Sequence, residues 1–146
     1  MNDGSYVIFT KLNPGMCLAL DSSNNCVIKN FDNTSDATTW VVQSIAGSTQ
    51  GFYLQHMATR NCIHFGNDGQ VRTQLLPTVG AQASTALEYV VTTDDVGDGF
   101  CAINNHDHSY VLDVYRSGTN QGNSVVTFHW NKGDNQRWRF VPTGLL

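Results

Sequence analysis

Five residues in the last third of the chain combine an acid, two aromatic rings and two side-chain amides: Asp113, Phe128, Trp130, Asn135 and Gln136. A carboxylate accepts hydrogen bonds from neighbouring hydroxyl groups, and a carboxamide both donates and accepts them. An aromatic face covers the C–H groups of a ligand that is apolar on one side. Together these groups suit a small polyhydroxylated ligand.

Short β-type segments must position these groups. Runs rich in β-branched and aromatic residues recur along the chain, separated by Gly, Asn, Asp, Pro and Ser. Each third supplies four such runs, and no window has a sustained helical period, so we predict an all-β chain with little or no α-helix. The predicted strands lie at residues 6–9, 17–20, 26–29, 40–43, 52–55, 62–65, 70–73, 87–91, 100–103, 110–113, 124–128 and 138–141.

The three thirds resemble one another. The predicted fourth strands begin, at spacings of 47 and 51 positions, with three expected core residues: Trp40, Leu87 and Trp138. The predicted second strands are closed by equivalent polar residues: Asp21, His64 and Asp113. Such a period indicates repeats that bury a shared core. We therefore predict one domain over residues 1–146, a β-trefoil of three four-stranded repeats (about 1–47, 48–95 and 96–146) with pseudo-threefold symmetry.

Charge and hydropathy argue against several function classes. Eight Lys and Arg against twelve Asp and Glu give a net charge of −4, and the basic residues are scattered, so no nucleic-acid partner is expected. No apolar run approaches the ~20 residues that a transmembrane helix needs. The first residues lack the basic and apolar regions of a signal peptide. We therefore expect a cytoplasmic protein, or one released by a non-classical route.

Metal, cofactor and catalytic chemistry have little support in the sequence. The four cysteines lack metal-type spacing, and we predict four semi-buried free thiols in a reducing compartment, with a disulfide between Cys17 and Cys26 across one hairpin as the alternative. The run Asn-His-Asp-His-Ser at residues 105–109 is predicted to be a solvated loop rather than a metal site. No nucleophile signature or phosphate-binding loop occurs, so we expect no enzymatic activity and no cofactor.

The run Asn135-Gln136-Arg137-Trp138 matches the Q-x-W signature of the ricin B-type lectin family. The preceding Leu-Asp pair, glycine-rich turn, valine-led strand with two aromatics and Gly-Asp turn resemble the small fungal members in their order. About thirty matching residues and a threefold period make this resemblance more specific than a three-residue motif. It implies a non-enzymatic β-trefoil lectin for glycans that contain galactose or N-acetylgalactosamine.

The resemblance also implies residue roles, with the main site in the third repeat. Asp113 would accept hydrogen bonds from two adjacent sugar hydroxyls, and Phe128 would lie under the apolar face of the sugar. Asn135 would bind a ring hydroxyl, and Gln136 would brace Asp113 or the turn backbone. Trp130 is a further candidate, and the loop at 105–109, Tyr115 or Arg116 could form the rim. The structural alternatives are an acid that caps its own turn and aromatics that cover the barrel mouth.

The first two repeats match this pattern poorly. In the first, the candidate weak second site consists of Asp21, Asn30 and Phe31. Ala37 and Thr38 stand there where Asn and Gln are expected, so a purely structural repeat is the preferred interpretation. In the second repeat, where we predict no sugar site, the acid, the amide and the Trp are replaced by His64, Thr85 and Leu87.

Glycans or glycoconjugates are thus the predicted partners. One shallow site would bind weakly, since a millimolar Kd corresponds to about −4.1 kcal/mol, and a homodimer or clustered glycans would supply avidity. The main alternative is a β-trefoil protease inhibitor acting through an exposed loop at residues 75–85, which contains Pro77. A third hypothesis is a structural trefoil that acts through protein contacts.

Overall fold

A computed structural model describes residues 1–45, 51–66, 68, 70–76 and 87–146. These residues form twelve strands: β1 (Gly4–Thr10), β2 (Met16–Leu20), β3 (Cys26–Asn30), β4 (Trp40–Ser44), β5 (Phe52–His56), β6 (Cys62–Phe65), β7 (Val71–Gln74), β8 (Thr92–Gly97), β9 (Phe100–Asn104), β10 (Val111–Val114), β11 (Val125–Phe128) and β12 (Trp138–Pro142). Short 3-10 helices cover Asp36–Thr38, Tyr115–Ser117, Asp134–Gln136 and Thr143–Leu145. No helix in the described ranges is long and apolar enough to cross a membrane.

Six strands close into a barrel. β1 pairs with β4 and β12, β4 pairs with β5, and β9 pairs with β8 and β12, always antiparallel. A bridge between Phe52 of β5 and Val91, the residue before β8, completes the ring. Closure of this kind pairs the edges that an open sheet would expose.

Three hairpins form the cap of the barrel: β2–β3, β6–β7 and β10–β11. Each continues from the first strand of its own repeat, namely β1, β5 or β9. Isolated bridges connect the hairpins to one another: Asn25 to Arg72, Val27 to Ser124 and Gln70 to Val126. A six-stranded barrel with three mutually bridged hairpins is the predicted β-trefoil, with its pseudo-threefold symmetry.

The barrel and the hairpins share one apolar core, in which Trp40 and Trp138 are both 0% exposed. The indole Nε1 of Trp40 donates to the Leu18 carbonyl at 2.9 Å, and that of Trp138 donates to the Leu112 carbonyl at 3.2 Å. A buried indole N–H needs such a partner. Each Trp therefore ties the barrel to the second strand of its own repeat, and the prediction of these two as equivalent core residues is confirmed.

The prediction that Leu87 is a core residue opening the fourth strand of the second repeat is wrong. Leu87 is 44% exposed, and the buried Val91 fills the core instead. The Val90 N–H donates to the Leu87 carbonyl, as the residue before each buried Trp donates three positions back. Leu87 therefore belongs to the turn, and the strand begins at Thr92. The mostly apolar run at 87–91 has a strand-like composition, whereas the polar sequence of β8 gives no local signal for the strand that forms there.

The four cysteines are unpaired thiols. Cys17 lies opposite Lys29 in the register of β2 and β3, not opposite Cys26, so the alternative disulfide across this hairpin is wrong. Burial raises the pKa of Cys62 to about 11 and the pKa values of Cys17 and Cys101 to about 12. These thiols are therefore protonated at neutral pH and unreactive.

Candidate functional site

The carboxylate of Asp113 is the centre of the candidate site. Asp113 is the third residue of β10, lies opposite Val126 of β11 and is nearly buried. Asn135 Nδ2 donates to its Oδ1 at 3.0 Å, and Gln136 Nε2 donates to its Oδ2 at 2.8 Å. Each carboxylate oxygen has the capacity for a second hydrogen bond. Asp113 therefore anchors two amides of the next 3-10 helix rather than capping its own turn.

Gln136 is fully buried and uses every polar atom of its side chain. Nε2 donates to Asp113 Oδ2 and to the His129 carbonyl at 2.8 Å each, while Oε1 accepts from the Asn131 N–H at 2.8 Å. Because Nε2 faces two acceptors and Oε1 faces a donor, chemistry fixes the orientation of this amide. Gln136 braces both Asp113 and the turn backbone.

The amide of Asn135 is likewise oriented by its hydrogen-bond partners. Its Nδ2 donates to Asp113 Oδ1 and, at 3.2 Å, to the Val114 carbonyl. Both partners are acceptors, so the NH2 group faces them and Oδ1 lies on the other side of the amide. A Cβ on Gly133 would collide with this Oδ1, so a glycine there makes room for the amide. Asn135 Oδ1, an acceptor, therefore faces away from Asp113 and lies against Gly133.

A shallow cavity of about 410 Å³ opens beside these groups and is lined by Asp113, Tyr115, Arg116, Val126, Thr127, Phe128, Asn131 and Asn135. Its volume lies at the lower end of the roughly 300–1,000 Å³ usual for ligand pockets. Phe128, the last residue of β11, is 52% exposed. Because alternate strand residues share a face, Phe128 lies on the same side of the hairpin as Asp113. The acid, an amide and an exposed ring thus share one cavity.

Trp130 lies outside this cavity. Its ring packs against Arg137, whose Cζ is 5.2 Å from the ring centroid. The intervening His129 stacks on Tyr110, with ring centroids 5.3 Å apart. The structure therefore brings the predicted acid, both amides and Phe128 together but separates Trp130 from them.

Asn131 lines the cavity, although nothing in the sequence singles it out. It opens the turn after β11, where Asn is common for reasons of backbone geometry alone. Its N–H is fixed by Gln136, and its Oδ1 accepts from the Gly133 N–H at 2.9 Å. The only sequence signal for its position is therefore its distance from the Q-x-W motif.

Burial raises the pKa of Asp113 above the ordinary value of 3.8, and hydrogen bonds from Gln136 and Asn135 offset this only in part. A raised folded-state pKa means that the native state binds the proton more tightly than the unfolded chain. The contribution of Asp113 to stability is therefore most favourable below pH 3.8 and declines as the pH rises through the raised pKa. At neutral pH the ionised carboxylate lacks some of the hydrogen bonding that water would give it.

In the first repeat, Ala19 and not Asp21 occupies the position of Asp113. The carbonyl that accepts the indole hydrogen bond belongs to Leu18 there and to the residue before Asp113 in the third repeat. Asp21 instead accepts hydrogen bonds from two N–H groups of its own hairpin turn, at 2.8 and 3.0 Å. The predicted equivalence of Asp21 with Asp113 is therefore wrong.

The other members of the candidate second site lie far from Asp21. Asn30 pairs with Met16 at the start of β2, whereas Asp21 follows the end of that strand. Five residues of strand separate these two ends by about 15 Å. The Phe31 ring packs on Phe9, with centroids 5.6 Å apart. The structure therefore does not assemble this set into one site.

In the second repeat, His64 occupies the position of Asp113. Its Nδ1 lies 3.1 Å from Gln74 Nε2, and its Nε2 lies 2.7 Å from Glu88 Oε2. Gln74 stands where Phe128 stands in the third repeat. The position of Phe128 is therefore polar in the second repeat, although the buried ring of Tyr89 lies 5.0 Å from that of His64. Thr85 lies outside the described residues.

The loop at 105–109 is held by its own polar side chains. His108 Nδ1 lies 3.0 Å from Asp94 Oδ2, and Asp107 Oδ1 accepts from the Ser109 N–H at 3.1 Å. Within the described ranges, no group of three His, Cys, Asp or Glu side chains could hold a metal ion. The loop does not line the cavity beside Asp113. Of the proposed inhibitory loop, residues 77–85, including Pro77, lie outside the described residues.

Comparison with known proteins gives a lectin relative and solved structures of the same fold. No family model matches the chain. The ricin B-like lectin R40G3 of Oryza sativa subsp. japonica is 26% identical over 151 residues, covering 92% of this chain and 72% of that protein. The designed threefold-symmetric protein ThreeFoil has a TM-score of 0.80 at 20% identity, over 95% of this chain and 99% of its own. The ricin B-like lectin of Macrolepiota procera, solved with lactose, has a TM-score of 0.76 at 16% identity, over 97% and 98%. The chain is therefore a β-trefoil that resembles the ricin B-type lectins.

Proposed function

We propose that this protein is a lectin without enzymatic activity, which binds glycans containing galactose or N-acetylgalactosamine in the cavity beside Asp113. One observation carries the proposal: a nearly buried carboxylate, held by two amides, shares a cavity with the exposed ring of Phe128. The rice relative is named a ricin B-like lectin, and the Macrolepiota lectin was solved with lactose, a galactose-containing sugar. Both names support a carbohydrate ligand here.

The stereochemistry of galactose suits these groups. Its hydroxyls on C3 and C4 are cis neighbours, so both can donate to one carboxylate. Each oxygen of Asp113 already accepts one amide hydrogen bond, and each sugar hydroxyl would supply one more. The C–H groups on one face of galactose form an apolar patch that Phe128 would cover. Asn135 Oδ1 would accept from a further hydroxyl.

A single site of this kind binds weakly. The cavity is shallow and Phe128 covers one face of the sugar, which is consistent with a Kd near 1 mM, or about −4 kcal/mol. Within the described part of the chain, only the third repeat combines the acid, the amides and the aromatic ring, so useful avidity requires a homodimer or a clustered glycan. Linkage of two such sites raises the apparent affinity without any new contact.

The test is a glycan array followed by titration calorimetry with the Asp113→Ala variant. Loss of two charge-assisted hydrogen bonds, each about 1.5–3 kcal/mol, removes most of a binding free energy near −4 kcal/mol, so galactoside affinity should fall by about a hundredfold or more. A matched control is Asp107→Asn, which removes one negative charge from an exposed loop of the same repeat. It should bind like the wild type.

Two results would overturn the proposal. One is full galactoside affinity in an Asp113→Ala protein that remains folded under the binding conditions. The other is an array on which no glycan binds. Nanomolar inhibition of a serine or cysteine protease together with an empty array would favour the protease-inhibitor hypothesis instead.

A further inference from the structure

The segment after β10 has an unusual backbone that the proposed function does not require. Arg116 has φ 51° and Ser117 has φ 55°, so two successive non-glycine residues are left-handed. Such residues persist only where their surroundings hold them, and they concentrate at functional sites. The Tyr115 N–H donates to the Ser124 carbonyl at 2.9 Å, and Asn123 Nδ2 donates to the Tyr115 carbonyl at 3.0 Å. These bonds hold the segment from both sides.

The held backbone places the side chain of Arg116 at the rim of the cavity beside Asp113. Its Cζ lies 5.2 Å from the centroid of the exposed Tyr115 ring, a cation–π contact that restricts the guanidinium. No ion pair among the described residues includes Arg116, whereas Arg72 and Lys11 each pair with an acid. The cavity of a chain with net charge −4 thus has an exposed, pre-positioned cation at its edge.

We propose that Arg116 makes this cavity select galactosides carrying an anionic group, a sulfate ester or a carboxylate, attached away from the hydroxyls that Asp113 binds. The inference rests on the proposed function and adds a class of ligand to it. The planar fork of a guanidinium matches two oxygens of a sulfate or carboxylate. An anionic group at the rim would contact Arg116 while the two sugar hydroxyls donate to Asp113. The guanidinium and the carboxylate would thus bind different parts of one sugar.

The test compares lactose, a lactose sulfated on C6 of galactose and a lactose carrying sialic acid on the same carbon, by titration calorimetry. An exposed, partly ordered charge pair should favour an anionic ligand over lactose by about fivefold in wild-type protein. This ratio should fall between about 20 mM and about 300 mM NaCl because salt screens exposed charges. Whichever ligand shows the preference identifies the anion as sulfate or carboxylate.

Arg116→Asn is the informative variant, because Asn tolerates a left-handed backbone and the segment should keep its conformation. It should reduce the affinity ratio between anionic and neutral ligands to about one, and Arg116→Lys should keep part of it. The matched control is Arg139→Gln, which removes an exposed cation packed on Phe100 outside the cavity. That variant should keep the wild-type ratio.

A wild-type ratio of one, or a preference that survives Arg116→Asn, would overturn the inference. If lactose still binds through Asp113 in that case, the proposed function stands without the anion preference. If none of the galactosides binds wild-type protein, the proposed function fails, and the inference fails with it.

Discussion

Replacing Gln136 by alanine tests whether the buried amide stabilises the third repeat while Asp113 serves the ligand. Gln136 bonds to Asp113 Oδ2, to the His129 carbonyl and to the Asn131 N–H, each at 2.8 Å. Without the amide, the nearly buried carboxylate and two partly buried backbone groups each lose a partner. Buried polar groups left in this way cost their full desolvation. We therefore expect a large decrease in the free energy of unfolding.

The magnitude follows from the three bonds. The bond to a carboxylate is worth about 1.5–3 kcal/mol, and each bond to the backbone about 0.5–1.5 kcal/mol. Relaxation and entry of water recover part of the sum, so Gln136→Ala should cost about 3 kcal/mol, a large share of the roughly 5–15 kcal/mol of a typical domain. Asp113→Ala should cost only about 1 kcal/mol, because removing a carboxylate whose pKa is raised by burial also removes a desolvation cost.

Urea unfolding at pH 7, followed by the fluorescence of the buried Trp40 and Trp138, measures both variants. The matched control is Thr38→Ala, at the same position of the first repeat. Thr38 is buried, and its Oγ1 makes no hydrogen bond of normal geometry within the described residues, so the expected cost is below about 1 kcal/mol. A cost for Gln136→Ala below about 1 kcal/mol, or below that of Asp113→Ala, would refute this reasoning.

Three further outcomes are expected from the site. Because burial raises the pKa of Asp113 above 3.8, galactoside affinity in calorimetry should be lost on acidification at a higher pH than for an exposed Asp, and a flat profile from neutral pH to about pH 4 would contradict this. Gly133→Ala should displace the Asn135 amide and lower affinity about tenfold, and should also lower Tm because this amide then loses its bonds to Asp113 and the Val114 carbonyl; an unchanged Kd would show that this amide is not a ligand group. Phe128→Ala should weaken binding about fivefold and Trp130→Ala less than about twofold, and equal effects would contradict the cavity boundary.

Most of the fold is predictable from local sequence, because a β-trefoil is built from short strands joined by recognisable turns. Runs of β-branched and aromatic residues bounded by turn residues locate every strand of the first and third repeats. The exception is β8, whose sequence Thr-Thr-Asp-Asp-Val-Gly is polar, while the neighbouring apolar run from Leu87 to Val91 is mainly a turn. That distinction depends on the long-range pairing of Val91 with Phe52, which no local pattern contains.

The candidate site is predictable to the extent that it is local. Asp113, Phe128 and Asn135 belong to one hairpin and the turn that follows it, so their spacing along the chain nearly fixes their spacing in the molecule. The position of Trp130 cannot be predicted in this way, because β11 and its alternation of faces end at Phe128. The sequence also assigns Asp21 to the wrong position, because the residue equivalent to Asp113 is defined by the indole hydrogen bond across the core and not by the end of a strand.

The fold itself does not require the three hydrogen-bonded polar side chains of the third repeat, Asp113, Asn135 and Gln136. In the first repeat the equivalent positions include Ala19 and Thr38, yet Trp40 joins barrel and hairpin by the same indole bond that Trp138 makes. Asp113 is instead a carboxylate whose ionised form burial disfavours, kept in place by two amides at a cavity. A ligand that donates two hydroxyls would restore the hydrogen bonds that burial removed, and binding would then lower the pKa of Asp113 and stabilise the fold.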